Sequence, residues 1–222
     1  FYNYYLTVGK QFEEDFKKKG YIVDEYFSIG TLRTSNDVSL NKIKLNKEIL
    51  RLKSKNKKIV LCLGINVVDK YQTQLEGKNG NSVENNINFF EQIILLAKNF
   101  KDLYFIIRFK MDSNINLLPQ NLLKEIEKIE NLELNKVTSK VNIYELLHIS
   151  NFVIGRYTSL IEESLSDGIN TIIYDEINFT NSLEQYHFFK TVIKAKDCND
   201  LHNYLKIFLN GKDLYGKEIV KE

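Results

Sequence analysis

The stretch GRYTSLIEESLSDGINTIIYD, residues 155–175, carries Thr158, Ser159, Glu162 and Glu163 between two short apolar runs. A hydroxyl pair that opens a helix can hold an anion, because the first turn leaves backbone N–H groups unpaired and the helix dipole is positive there. Such a hydroxyl can donate to a phosphate while accepting from the backbone. Neighbouring helical residues point about 100° apart, so Glu162 and Glu163 cannot face the same partner. With Ser159 as N-cap, Glu162 is the third helical residue, and S-x-x-E is the spacing of a capping box in which each side chain satisfies an orphan backbone donor. Glu162 then has a structural duty. Glu163 is left either to accept hydrogen bonds from a ribose diol or to meet solvent or a lysine.

Other side chains compete for a role at the same place. Asp175 ends the following apolar run, where it would touch a ligand hydroxyl or cap a turn. Of the three histidines, His148 and His202 fall in helical segments as packed or half-exposed rings, whereas His187 falls in a loop expected beside Asp175 and is either a ligand contact or a surface residue. Asp69 has no second metal ligand at a suitable spacing. No P-loop, G-x-G-x-x-G, G-x-S-x-G or H-E-x-x-H occurs, which argues against the familiar ATPases, nicotinamide enzymes, serine hydrolases and zinc proteases. No metal and no cofactor is expected.

The elements that must position these residues are readable from periodicity. Strands are expected at 58–64, 103–109, 132–134, 152–155, 170–175 and 191–195, and helices at 85–100, 119–131, 142–150, 159–168 and 199–210. Pro119 suits a first helical turn and Gly168 a left-handed helix end. Alternating strand and helix predicts an α/β fold, a Rossmann-like parallel sheet with helices on both faces. In such a sheet ligands bind beyond the carboxyl ends of the strands, the edge that also carries the long loop 65–84. Residues 1–52 read differently: strand, helix, strand, then a polar segment from 34 to 58. They are expected to be a bridge or the remnant of a preceding domain, with the main domain at 53–222, and the opening on Phe1 within an apolar stretch leads us to expect a segment before it.

The chain has 222 residues, enough to bury a core, and a net charge of +2, too small to predict nucleic-acid binding. The basic run KSKNKK, 53–58, reads as a solvated linker, with contact to anionic lipid headgroups as the alternative. Cys62 and Cys198 suggest neither a metal cluster nor a disulfide framework. No apolar run reaches the roughly 18–20 residues of a membrane span, and the first residues lack the order of a signal peptide. A soluble chain in a reducing cytoplasm is expected.

The stretch ELLHISNFVIGRYTSLIEESLSDGINTIIYD resembles the donor-nucleotide signature of GT-B glycosyltransferases: ELL, spacer, strand, hydroxyl pair, three residues, an acid, a glycine, a strand. It is most similar to bacterial surface-polysaccharide and CDP-glycerol-type transferases. The resemblance implies that Thr158 and Ser159 hold the donor's phosphates, that Glu163 holds the ribose and that Gly168 is the family glycine. Asn170 stands where many members have proline, and Arg156 at a place often small or acidic, where it aids an anion or faces water. FIIRFK is similar to a strand ending in a basic motif, which makes Arg108 and Lys110 candidate phosphate contacts; YYLTVGKQFEEDF and YFSIGTLR are similar to the crossover from an N-terminal half.

With Asp175 and His187, these residues form the expected donor site of one half of a GT-B architecture. The implied donor is a nucleotide sugar, with a pyrimidine base expected, and the implied acceptor is a glycan or lipid-linked chain at the inner face of the membrane. The catalytic base is left unassigned. Two rival readings stand beside it: a nucleotide-sugar epimerase of the same architecture, and a non-enzymatic interaction module in which Thr158, Ser159 and Glu163 form only a helix cap.

Overall fold

The structure is a computed structural model and describes residues 2–7, 10–28, 47–64, 83–109, 112–135, 141–156, 158–176 and 192–215. Six strands make one parallel sheet: β3 (Lys58–Leu63), β4 (Leu103–Arg108), β5 (Leu132–Asn135), β6 (Phe152–Gly155), β7 (Asn170–Tyr174) and β8 (Ile193–Ala195). Their spatial order is β5-β4-β3-β6-β7-β8, the doubly wound order in which the chain moves outward from β3 to one side and then restarts on the other. A separate parallel pair, β1 (Tyr2–Thr7) and β2 (Val23–Ser28), is joined by α1 (Lys10–Lys18).

Strand periodicity builds the two core layers. In β3, Val60 and Cys62 point into one layer while Ile59, Leu61 and Leu63 point into the other, and β4 divides Phe105 and Ile107 from Tyr104 and Ile106 in the same way. The first layer is closed by α3 (Val83–Asn99), α4 (Gln120–Glu127) and α7 (Cys198–Leu209), through residues such as Phe89, Phe90, Leu122, Leu201 and Leu205. The second is closed by α2 (Lys47–Lys53), α5 (Ile143–Ile149) and α6 (Leu160–Ser166), through Ile49, Leu52, Leu146, Leu147 and Ile161. Both faces are therefore covered, as a parallel sheet requires.

The expected strands and helices all form, with four local differences. Helix α2 arises inside the expected polar segment, across the 52/53 boundary, because Ile49 and Leu52 sit one turn apart and bury at 1% and 0% exposure. A 3-10 turn, Asp112–Leu117, precedes α4. Pro119 stands just before α4 as its N-cap, with extended backbone, and not inside its first turn. Helix α4 also stops early, at Glu127. Asn131 then donates through Nδ2 to the carbonyls of Ala97, Phe100 and Leu103, each at 3.0 Å, tying the end of α3 to the start of β4. Gly168 ends α6 at φ +72°, as expected.

Candidate functional site

The reversal of strand order lies between β3 and β6, so the crevice of this sheet opens beyond Leu63 and Gly155. Both strands are followed or ended by glycine, for steric reasons. A Cβ on Gly64 would lie 2.8 and 2.9 Å from the ring of Phe109 and 2.9 Å from that of Phe90. One on Gly155 would lie 2.5 Å from Ile161 Cδ1. The missing side chain at Gly155 is what lets α6 pack directly against the end of β6.

The turn from β6 into α6 is tight. The amide of Thr158 donates to the carbonyl of Arg156 at 3.0 Å, and that of Ile161 to Thr158 at 3.1 Å. The expected capping box is absent here. Ser159 already has helical backbone angles, φ −60° and ψ −21°, and its side chain makes no cap hydrogen bond. A cap residue needs extended backbone to aim its oxygen at the following amides, so the capping contact passes to Thr158, whose Oγ1 accepts from the Leu160 amide at 3.4 Å. A full capping box does form one helix earlier: Asn142, with ψ 148°, accepts from Tyr144, while Glu145 accepts from the Asn142 amide at 2.8 Å.

The consequence is a different division between the adjacent glutamates. Glu162 is half-buried, and burial, reinforced by the charge of Glu163, pushes its pKa up. Glu163 is buried at 6% exposure within the first turns of α6. Ser159 is exposed and Thr158 half-buried.

Arg156 does not face water. It is fully enclosed, and its Nη2 lies 3.1 Å from Oε1 of Glu176, just beyond β7. Asp175 is buried beside Glu176, its amide donating to the Ala195 carbonyl at 2.8 Å. Burial and the nearby Glu176 charge push the Tyr174 hydroxyl up to about 12. Sequence reading passed over Glu176; the signal was its position after a strand that neighbours the one ending in Arg156.

Arg108 ends β4 at the same edge but is buried, and it donates to the side chain of Asn135 through Nη1 and to the Val141 carbonyl through Nη2 at 3.0 Å. It thereby ties β4 to β5 and to the entry of α5. Lys110, His187 and Asp69 lie outside the described residues. His148 is exposed on α5, and the His202 ring packs 4.7 Å from that of Phe100, away from the crevice. The structure thus gathers Thr158, Ser159, Glu163, Arg156 and Asp175 around the ends of β6 and β7.

No family model matches the sequence, and no curated protein matches it either. Solved structures do. The wall teichoic acid polymerase TagF superposes with a TM-score of 0.63 at 16% identity, over 98% of this chain and 51% of that one. A form of TagF soaked with CDPG gives 0.60 at 16% identity, over 98% and 50%. The UDP-GlcNAc 2-epimerase from Neisseria meningitidis, bound to UDP-GlcNAc, gives 0.62 at 15% identity, over 94% and 53%. The chain spans about half the length of each of these structures. Its fold is that of one Rossmann-like domain of the GT-B architecture.

Proposed function

We propose that this chain is the donor-nucleotide-binding half of a transferase that moves a sugar or polyol phosphate from a pyrimidine nucleotide to a growing surface glycan. The observation that carries the reading is the position of the Arg156–Ser159 turn at the reversal of strand order, the place where a sheet of this order receives nucleotides. In this reading the hydroxyls of Thr158 and Ser159 donate to the phosphates, Glu163 accepts from the ribose, Arg156 lines the phosphate end, and Asp175 accepts from a ligand hydroxyl. Lys110 and His187, which lie outside the described residues, are proposed as further contacts, and Arg108 acts by fixing the end of β4. The chain's contribution to rate is orientation of the donor and stabilisation of charge on the leaving phosphate.

Acceptor and catalytic base belong, in this proposal, to a second domain. Residues 1–52 are its bridge. Tyr2, Tyr4, Leu6 and Phe27 stand on one side of the β1–β2 pair at 54%, 67%, 60% and 42% exposure, whereas Tyr5 on the other side packs 4.8 Å from Phe16 of α1. Parallel sheets are normally covered on both faces, and two strands alone are marginal, which supports a covering layer from elsewhere in a longer protein. We place the reaction at the cytoplasmic face of the membrane; no described helix is long and apolar enough to cross it.

The comparable likeness to UDP-GlcNAc 2-epimerases favours a second reading, epimerisation of the nucleotide sugar, in which intact donor is released with one inverted carbon. Calorimetric titration with CMP, CDP, UMP, UDP, GDP and ADP tests the shared part. Half a cleft should bind CDP or UDP with Kd of roughly 0.1–1 mM, about −4 to −5.5 kcal/mol. Purine nucleotides binding as well as pyrimidine ones would count against the proposed donor.

A further inference from the structure

The Arg156–Glu176 pair has an inner and an outer end. Arg156 is wholly enclosed, and the Glu176 side chain keeps 17% of its surface exposed although both its carboxylate oxygens are buried. Their separation of 3.1 Å makes an ion pair, yet the guanidinium and the Glu176 carboxylate are not aligned as a hydrogen bond. The contact therefore lacks the directional fork of a bidentate guanidinium–carboxylate pair. Burying both charges is costly, and the partner that remains after one is removed is left uncompensated.

The surroundings sharpen the point. Among the described residues, the titratable groups that act on Glu176 are Arg156, just past β6, and Tyr174 and Asp175, which precede it at the end of β7. Asp175 and Glu176 bring two carboxylates to this edge. A phosphate arriving at this edge meets repulsion unless a carboxylate withdraws, and Glu176 is the more exposed of the two, Asp175 being 1% exposed.

We propose that Glu176 is an exchangeable internal anion: it holds the Arg156 guanidinium in the unliganded protein and yields that position to a phosphate of the incoming nucleotide. This rests on the nucleotide-binding reading above and adds to it a coupling between ligand and proton. Burial already holds the Glu176 carboxyl above its ordinary range, and Arg156 opposes that shift. When phosphate neutralises Arg156 the opposition ends, the carboxyl moves further up, and it takes a proton from solvent. Binding that raises a carboxyl's pKa strengthens as pH falls.

The test is calorimetry of the 222-residue chain with CDP at pH 6, in two buffers of different ionisation enthalpy, with cytidine as the uncharged control. The wild type should take up protons on binding CDP and none on binding cytidine. Glu176→Gln should abolish the uptake and tighten CDP by at least about twofold, because the enclosed guanidinium loses the carboxylate that competes with phosphate, while leaving cytidine unchanged. A purely structural pair predicts the opposite sign, weaker CDP binding in Glu176→Gln, and that result overturns the proposal. CDP binding by the wild type without proton uptake overturns it too, and needs no variant to fold. No binding of CDP or UDP by the wild type would overturn the nucleotide reading and this proposal together.

Discussion

Leu63 of β3 and Gly155 of β6 are register partners, and each is the last residue of its strand at the point where the strand order reverses. Whatever the chain presents next, Gly64 on one side and Arg156 to Ser159 on the other, lines the crevice. The functional reading depends on that adjacency more than on any single side chain.

The two glycines at this point should separate stability from binding. Gly64→Ala meets the buried rings of Phe90 and Phe109, which already pack 5.0 Å apart, so it should cost about 1–3 kcal/mol in denaturant unfolding. Gly155→Ala meets chiefly the terminal methyl of Ile161, which can turn. It should cost less stability but displace the first turn of α6 and weaken nucleotide binding.

Removing caps gives a second contrast. Asn142→Ala removes a complete capping box and should destabilise by about 0.5–2 kcal/mol. Ser159→Ala removes no cap bond and should leave the unfolding midpoint nearly unchanged while lowering affinity for CDP or UDP. Equal loss of stability in the two variants would mean that Ser159 is structural.

Arg108 and Asn135 should behave as one unit. Each single alanine variant should destabilise the fold, and the double-mutant cycle should show coupling of about 0.5–3 kcal/mol. Additive effects would break the assignment of Arg108 as the tie between β4 and β5.

Glu162 supplies a pH prediction. Burial, with Glu163 beside it, raises its pKa in the folded state above the ordinary 4.5. A carboxyl shifted in this direction contributes stability that is fully present below the unfolded pKa and is lost as pH rises through the folded value. Glu162→Gln should therefore have a higher melting temperature than wild type at pH 7, and the two curves should converge below pH 4.5. A variant less stable than wild type at pH 7 would show that the ionised carboxylate is needed.

Much of this was legible in the sequence. Strands β3, β4 and β6 are apolar runs whose residues alternate between the two core layers, so pattern and packing agree there. Helix α2 was hidden because its apolar residues, Ile49, Leu50 and Leu52, are few within a Lys-rich segment and only Ile49 and Leu52 bury. The cap at Ser159 misled because S-x-x-E spacing reports side chains, whereas capping is decided by backbone angles; N-x-x-E at Asn142 carried the same pattern and had the right ones. The Arg156–Glu176 pair was out of reach because it exists only once β6 and β7 lie side by side.

The most direct test of the central claim is the map of amide chemical-shift changes when the isotopically labelled chain is titrated with CDP or UDP. The account predicts changes concentrated at Gly64, Gly155, Arg156, Thr158, Ser159, Glu163 and Asp175, along the carboxyl ends of β3, β6 and β7. Changes centred on the opposite edge, around Lys57, Asn131 and Asn151, or none at millimolar ligand, would contradict it.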